Sequence, residues 1–185
     1  MNYIKKTKTG FSLIELLIVI SIVGFLASIV VASLADAREG ARNSKRNETA
    51  RQYVSALALY HSEYGTFPDP IDARDSWSCL GDGYPDNTCR VYEDGDEMTE
   101  NSDSDLNTAL AEFIDNPASL DSFNYDGDVY YGIVYRCTSS TACNGYDMSW
   151  ILEGSGNDAQ CFGGASSVDV GGVFKHCTFS AGSTE

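Results

Sequence analysis

The chain has 185 residues with 27 acidic and 12 basic side chains, which gives a formal net charge of −15. The charge is uneven: residues 1–51 carry eight basic and four acidic side chains, whereas residues 52–185 carry four basic and 23 acidic ones. The larger part therefore repels a phosphate backbone, and direct binding of nucleic acid through a broad basic face is not expected. The length predicts one modest domain beyond any membrane segment.

An apolar run near the start dominates the hydropathy pattern. The run extends from Phe11 to Ala35, and Glu15 is the only charged residue in it. About 20 apolar residues are enough to cross the bilayer core as a helix. Residues 11–35 are therefore predicted to span a membrane. A carboxylate inside such a segment is costly, which points to a function for Glu15.

The residues around the start of this run carry a recognisable pattern. Three lysines precede Gly10, and the six residues GFSLIE then lead from Gly10 to Glu15. This arrangement resembles the start of a bacterial type IV prepilin, or of the related pseudopilins of type II secretion. In that family a membrane prepilin peptidase cuts after the glycine, and the new N-terminal residue is N-methylated. The resemblance implies cleavage between Gly10 and Phe11, N-methylation of Phe11, and an assembly contact at Glu15.

Two other interpretations of the segment explain fewer of its features. An ordinary secretory signal has an apolar core of about 7–15 residues followed by a cut site of small residues. Ala35-Asp36-Ala37 has the form of such a site, but the run is longer than that and contains Glu15. A plain single-span anchor explains the length of the run and leaves the spacing from Gly10 to Glu15 unexplained.

The helix is predicted to continue beyond the apolar run. Residues 35–64 contain no proline and are rich in good helix formers, and Gly65 with Pro68 then ends the helix near Tyr64. An apolar stripe at three- and four-residue steps predicts packing on a globular head: Ala50, Tyr53, Val54, Leu57 and Tyr60. A basic collar is interpreted either as a solvated helix face or as a contact with acidic heads of neighbouring subunits: Arg38, Arg42, Lys45 and Arg46.

The remaining residues predict a small mixed head. Residues 71–105 are rich in Gly, Asp, Asn and Ser, which predicts a long loop, and residues 106–114 have helical spacing after a cap at Ser104 or Asp105. Period-two alternation predicts about three or four antiparallel strands, within Val129–Arg136, Met148–Leu152 and Val173–Phe179.

The predicted fold is α+β and pilin-like, with three parts. Residues 1–10 form a leader that is cleaved. Residues 11–64 form a long N-terminal helix with a transmembrane half and an amphipathic half. Residues 65–185 form an extracellular head with a small antiparallel β-sheet and disulfides. The amphipathic half of the helix packs on this sheet.

All six cysteines lie after residue 78. An even number in a part expected outside the membrane predicts disulfides rather than free thiols. Six cysteines allow fifteen pairings, and the sequence does not choose among them. We favour pairing between sequence neighbours: Cys79 with Cys89, Cys137 with Cys143, and Cys161 with Cys177.

Acidic loops are the other candidate site. Carboxylates at alternate positions offer the hard oxygen ligands that calcium prefers, at Asp94, Asp96, Asp103, Asp105, Asp126 and Asp128. No complete EF-hand pattern is present, so calcium binding and plainly solvated loops both stay open. No catalytic constellation stands out, and His61 and His176 are assigned structural or surface roles. An enzyme is therefore not predicted, and calcium is the one cofactor considered.

The leading functional hypothesis is a structural subunit of a type IV pilus or pilus-like filament. The chain would cross the cytoplasmic membrane once with its head outside, and then enter an extracellular filament. Expected partners are other copies of the chain, prepilin peptidase, the pilus assembly platform, other pilins and the membrane. The alternatives are a type II secretion pseudopilin, a minor pilin, or a membrane-anchored extracellular binding module that forms no filament.

Overall fold

The computed structural model describes residues 12–69, 76–93, 96–115, 122–125, 127–138, 142–154 and 159–182. The chain divides into two compact units, Met1–Arg38 and Glu39–Glu185. The proposed leader and the proposed cleavage site at Gly10 and Phe11 lie outside the described residues.

One long helix, α1, extends over Leu13–Tyr64. It ends where the sequence predicts, because Gly65 adopts a left-handed backbone with φ +77° that glycine reaches without steric cost. The Gly65 N–H donates to the carbonyl of His61 at 2.8 Å, which satisfies one of the last carbonyls of the helix.

The other regular elements of the described residues are nine strands, one short α-helix and a 3₁₀ turn at Pro85–Asn87. In order, the strands and the helix are β1 (Ser78–Leu80), β2 (Thr88–Glu93), β3 (Asp96–Asn101), α2 (Ser104–Leu110), β4 (Phe123–Tyr125), β5 (Asp128–Tyr130), β6 (Ile133–Cys137), β7 (Gly145–Glu153), β8 (Ser166–Val170) and β9 (Phe174–Gly182). A five-stranded antiparallel sheet has the order β1-β6-β7-β9-β8, and β2–β3 and β4–β5 form two further antiparallel pairs. The predicted α+β fold with a long N-terminal helix is confirmed.

The five-stranded sheet carries a core on each face. Trp150 and Ile151 are neighbours on β7, so their side chains point to opposite faces, and they belong to different apolar clusters. The cluster around Trp150 includes Ala50, Tyr53 and Leu57 of α1, each at most 1% exposed. The predicted stripe of α1 therefore packs on the head, with Val54 and Tyr60 partly buried at its margin.

The predicted loop over residues 71–105 is wrong in most of its described part. This stretch contains β1, β2 and β3, and β2 pairs with β3 residue by residue from Thr88↔Asn101 to Glu93↔Asp96. The sequence does hold a turn signal, Asp94-Gly95, after a run that contains the strand-forming residues Val91 and Tyr92. The polar composition of the stretch concealed it, because β3 carries few apolar side chains.

Three other details differ from the sequence prediction. The strand predicted across Val129–Arg136 is split into β5 and β6 around Gly132, where φ is +100° and an added Cβ would lie 2.5 Å from the Cβ of Cys89. The estimate of three or four strands is too low, in part because β3 and β8 carry mostly polar side chains. The N-cap of α2 is Asp103 rather than Ser104 or Asp105, and its carboxylate accepts from the N–H groups of Asp105 and Leu106.

Candidate assembly segment and head attachment

The first turn of α1 holds Glu15 in a local hydrogen bond. The backbone N–H of Ser12 donates to Oε2 of Glu15 at 2.9 Å. Ser12-x-x-Glu15 has the spacing of a capping box, in which a glutamate three residues after the cap reaches back to the cap's N–H. Sequence reasoning overlooked this pattern. In the uncut chain, Glu15 therefore has a partner within its own helix, and a pairing with Phe11 lies outside the described residues.

The helical segment after Glu15 exposes a continuous apolar surface. Its large apolar side chains between Leu13 and Leu34 are 47% to 87% exposed. The hydroxyl groups do not interrupt this surface, because Ser21, Ser28 and Ser33 donate to carbonyls three or four residues earlier. By length and composition α1 has what a helix needs to cross a membrane.

Two residues of the basic collar, Arg42 and Arg46, contact Glu153 of the same chain. Arg42 forms an ion pair with Glu153 and donates from Nε to its Oε1 at 2.8 Å, and Arg46 lies 2.7 Å from the same oxygen. The Arg46 side chain is only 4% exposed. The interpretation of Arg42 and Arg46 as a solvated face is therefore wrong.

Glu153 is the electrostatic centre of this attachment. Burial alone would raise the pKa of its carboxyl, but hydrogen bonds and charge from Arg42 and Arg46 hold the pKa below its usual value. Asn43 also brackets the Glu153 backbone, donating to its carbonyl at 2.7 Å and accepting from its N–H at 2.8 Å. Three helix positions thus fix the end of β7 in both charge and backbone register.

Asn47 extends the attachment by one helical turn. It accepts from the indole N–H of Trp150 at 3.1 Å and donates to the carbonyl of Gln160 at 2.7 Å. We call Arg42, Asn43, Arg46 and Asn47 the polar clamp. Trp150 in turn stacks on Phe162 with ring centroids 4.9 Å apart. The clamp therefore joins α1 to β7 and to the segment that leads into β8, which the apolar periodicity alone did not predict.

Three disulfides stabilise the head. They join Cys79 to Cys89, Cys137 to Cys143 and Cys161 to Cys177, with Cα–Cα distances of 5.8, 5.5 and 5.8 Å. These are the pairings that the sequence analysis favoured. Cys79–Cys89 joins β1 to β2, Cys137–Cys143 closes the connection from β6 towards β7, and Cys161–Cys177 ties the clamped segment to β9.

The acidic candidates for calcium fall into two groups. Asp94 and Asp126 lie outside the described residues, as does the side chain of Asp96. Asp103 is used as the N-cap of α2, and Asp128 pairs with Arg90. The described residues contain no group of three or more His, Cys, Asp or Glu side chains arranged to hold a metal ion. Calcium binding stays a prediction, and titration with calcium followed by thermal melting tests it.

The two histidines occupy structural positions. The His61 ring packs 4.5 Å from that of Phe67. His176 is 7% exposed and hydrogen-bonds the hydroxyl of Ser149, which is fully buried. This hydrogen bond joins β7 to β9, and the buried hydroxyl offers no open approach for a substrate. The structural or surface roles assigned to the two histidines from the sequence agree with these contacts.

Comparison with known proteins finds a family match at the N-terminal segment and similarity to a fimbrial protein. Residues 5–31 match the family described as prokaryotic N-terminal methylation motif. The chain is 35% identical over 65 residues to the fimbrial protein EcpC of Eikenella corrodens, over 35% of this chain and 42% of that protein. The chain thus matches less than half the length of this relative. No solved structure shows significant similarity to the chain.

The two findings confirm the resemblance to the type IV prepilin family, and the motif match locates it at residues 5–31. They support a pilin-type subunit, which is a structural and non-enzymatic kind of protein. The methylation motif together with the apolar helix fits a membrane-anchored pilin.

Proposed function

We propose that this chain, whose N-terminal segment carries the prokaryotic methylation motif, is a structural subunit of a type IV pilus or pilus-like filament. The observation that carries the proposal is the conjunction at one end of the chain of that motif, over residues 5–31, with an exposed apolar helix. An apolar surface of this size needs cover from lipid or from other protein. In a subunit that first lies in a membrane and then packs into a filament, lipid covers this surface first and other subunits cover it afterwards.

Processing is the first step of the proposed function. Prepilin peptidase cuts between Gly10 and Phe11, and Phe11 becomes N-methylated. A glycine at the cut leaves the backbone open to close approach by a protease. Cleavage also changes the electrostatics, because it replaces a neutral peptide group with an amine four residues before Glu15.

Assembly then moves the apolar segment from the membrane into the filament. Desolvating an unpaired charge costs several kcal/mol even after relaxation, so the Phe11 amine and the Glu15 carboxylate both need partners. We assign Glu15 of an incoming subunit to the amine of a neighbouring subunit, a pairing that sets the axial register. The hydrogen bond from Ser12 to Glu15 gives the carboxylate a local partner until then.

The head is placed outside the cytoplasmic membrane. Its three disulfides support this location, because such bonds persist in oxidising compartments. Its ion-paired clamp supports a head that folds within one chain before assembly. The partners in this proposal are other copies, prepilin peptidase, the assembly platform and other pilins.

Shearing the producing cells tests the proposal. We expect long, thin fibres that contain this chain, seen by electron microscopy with antibody labelling, and none from a strain that lacks prepilin peptidase. Retention of the chain in membranes without fibres would contradict a pilus subunit and favour the membrane-anchored binding module. A secretion defect with no surface fibres would favour the pseudopilin.

A further inference from the structure

The five-stranded sheet ends in one open edge. β8 is the last strand in the order β1-β6-β7-β9-β8, and within the described residues its only strand partner is β9. Its first four residues are exposed, and the side chain of Val168 is 63% exposed. The other edge differs, because all three residues of β1 are buried and Cys79 bridges to Ser102.

The sequence of β8 lacks most of the features that protect strand edges. Natural edges are blunted by lysine, proline or bulges, since an open row of backbone N–H and C=O groups pairs readily with another chain. β8 reads Ser166-Ser167-Val168-Asp169-Val170, and it pairs with β9 without a bulge. Its one charge, Asp169, lies 3.7 Å from Lys175 on β9. This open edge is therefore suited to adding a strand.

The five residues of β8 are complementary to themselves in one register. In an antiparallel pair centred on Val168, each Val168 faces the other Val168, and Ser167 of each copy faces Asp169 of the other. Like charges directly opposite each other destabilise a strand pair, and this register has none. A hydroxyl opposite a carboxylate can instead donate a hydrogen bond.

We infer that β8 pairs antiparallel with β8 of a second copy, so that the sheets of two heads join edge to edge. Such a contact is two-fold symmetric and closes on itself. It therefore cannot extend a filament, and it joins heads that belong to different filaments. The inference rests on the proposed function in this respect, because a five-residue strand pair is weak alone and gains strength when repeated along two filaments.

The negative charge of the head makes this pairing depend on the salt concentration. Residues 52–185 carry 23 acidic and four basic side chains, so two approaching heads repel each other. The Debye length falls from about 10 Å at 0.1 M salt to about 3 Å at 1 M. Lateral bundling of filaments should therefore increase with ionic strength, whereas the length of single filaments should not depend on this contact.

Cysteine cross-linking tests the register in assembled filaments. Residues opposite each other in an antiparallel pair have Cα atoms about 4.5–5.5 Å apart, within disulfide reach. Val168→Cys should give a disulfide-linked dimer on a non-reducing gel. Ser166→Cys is the matched control, since in this register it faces Val170 of the other copy and should give at least tenfold less dimer. Equal dimer from both variants, or none from Val168→Cys in bundled filaments, would overturn the register.

Charge variants at Ser167 test the pairing without a covalent bond. Ser167→Asp places a carboxylate opposite Asp169 of the other copy and should abolish bundles, whereas Ser167→Lys should increase them at low salt. Thr99→Asp and Thr99→Lys make the same charge changes on exposed β3 and should leave bundling as in the wild type. Bundling that responds equally at both positions would overturn the β8 contact.

The failure of this inference differs from failure of the proposed function. Single wild-type filaments that never bundle at any salt concentration would overturn the β8 contact and leave the filament intact. A complete absence of wild-type filaments would overturn the proposed function, and the lateral contact between filaments with it.

Discussion

Two stretches of α1 differ in the exposure of their apolar side chains. Between Leu13 and Leu34 the large apolar side chains are 47% to 87% exposed, whereas Ala50, Tyr53 and Leu57 are at most 1% exposed. The second stretch also includes the polar clamp, whose arginines and asparagines contact the head. The first stretch carries one charge, Glu15. The comparison indicates that the second stretch serves folding within a chain, while the first serves contacts made by lipid and other copies.

A change at Glu15 should have the largest effect on assembly. We expect Glu15→Leu to reduce the yield of sheared filaments by roughly tenfold or more, since an unpaired buried amine costs several kcal/mol and about 1.4 kcal/mol is already tenfold. Cleavage after Gly10 and thermal melting of the head should be nearly unchanged. Immunoblots of filament and membrane fractions measure the yield.

Glu15→Gln separates the charge from the helix cap. Glutamine still offers an oxygen to the Ser12 N–H, as in other capping boxes, but it has no charge. We expect the same assembly defect from Glu15→Gln as from Glu15→Leu. Wild-type assembly of Glu15→Leu would exclude Glu15 as the register contact, and uncut Glu15→Leu chains would place its role in processing.

A charge reversal in the polar clamp should destabilise the head, whereas the changes at Glu15 should leave the head folded. Arg46→Glu should destabilise the head by about 3–5 kcal/mol, because it removes one partner of a buried ion pair and sets a carboxylate beside Glu153. Arg38→Glu is the matched control at an exposed position of the same helix. Denaturant unfolding of the full chain in detergent measures both. Equal stability of the two variants would show that the clamp does not hold the head.

Loss of one disulfide should weaken the head by a smaller amount. Replacing both Cys161 and Cys177 by alanine should cost about 3 kcal/mol, the chain-entropy value for a loop of this length. The same denaturant unfolding measures the loss, and the double variant should keep the other two disulfides. A variant as stable as the wild type would mean that the clamp alone orders the segment before β8.

The smallest expected effect is on the decrease of the head's free energy of unfolding at acid pH. The pKa of Glu153 is lowered in the folded head, so the unfolded state binds more protons near the usual carboxyl pKa of about 4.3. Its contribution is present above that pH and is lost as the pH falls through the lowered value. Glu153→Gln should therefore flatten the loss of stability below about pH 4. Parallel acid curves for the wild type and Glu153→Gln would contradict the clamp electrostatics.

The same contrast explains what the sequence predicted well. A long apolar run, a helix-ending glycine at Gly65 and a stripe from Ala50 to Tyr60 are local patterns with a strong period, and each agrees with the structure. The cysteine pairing followed from closeness along the chain. The clamp was not predictable in this way, because Glu153 lies more than a hundred residues from Arg42 and Arg46 and only the fold brings them together.

The sequence analysis missed β3 and β8 for a different reason. β3 and β8 expose polar side chains and so lack the apolar alternation that identifies a half-buried strand. Their turn signals, Asp94-Gly95 and Gly171-Gly172, were the better indicators. Asp128, one of the calcium candidates, pairs with Arg90, a basic residue distant in sequence, and calcium binding stays a prediction.

The intact mass of the chain recovered from sheared filaments tests the central claim most directly. The claim is that the first stretch of α1 enters assembly only after the leader is removed. We predict a chain that begins with N-methylated Phe11 and carries three intact disulfides. A mass that retains residues 1–10, or one that corresponds to a cut near Ala37, would contradict it.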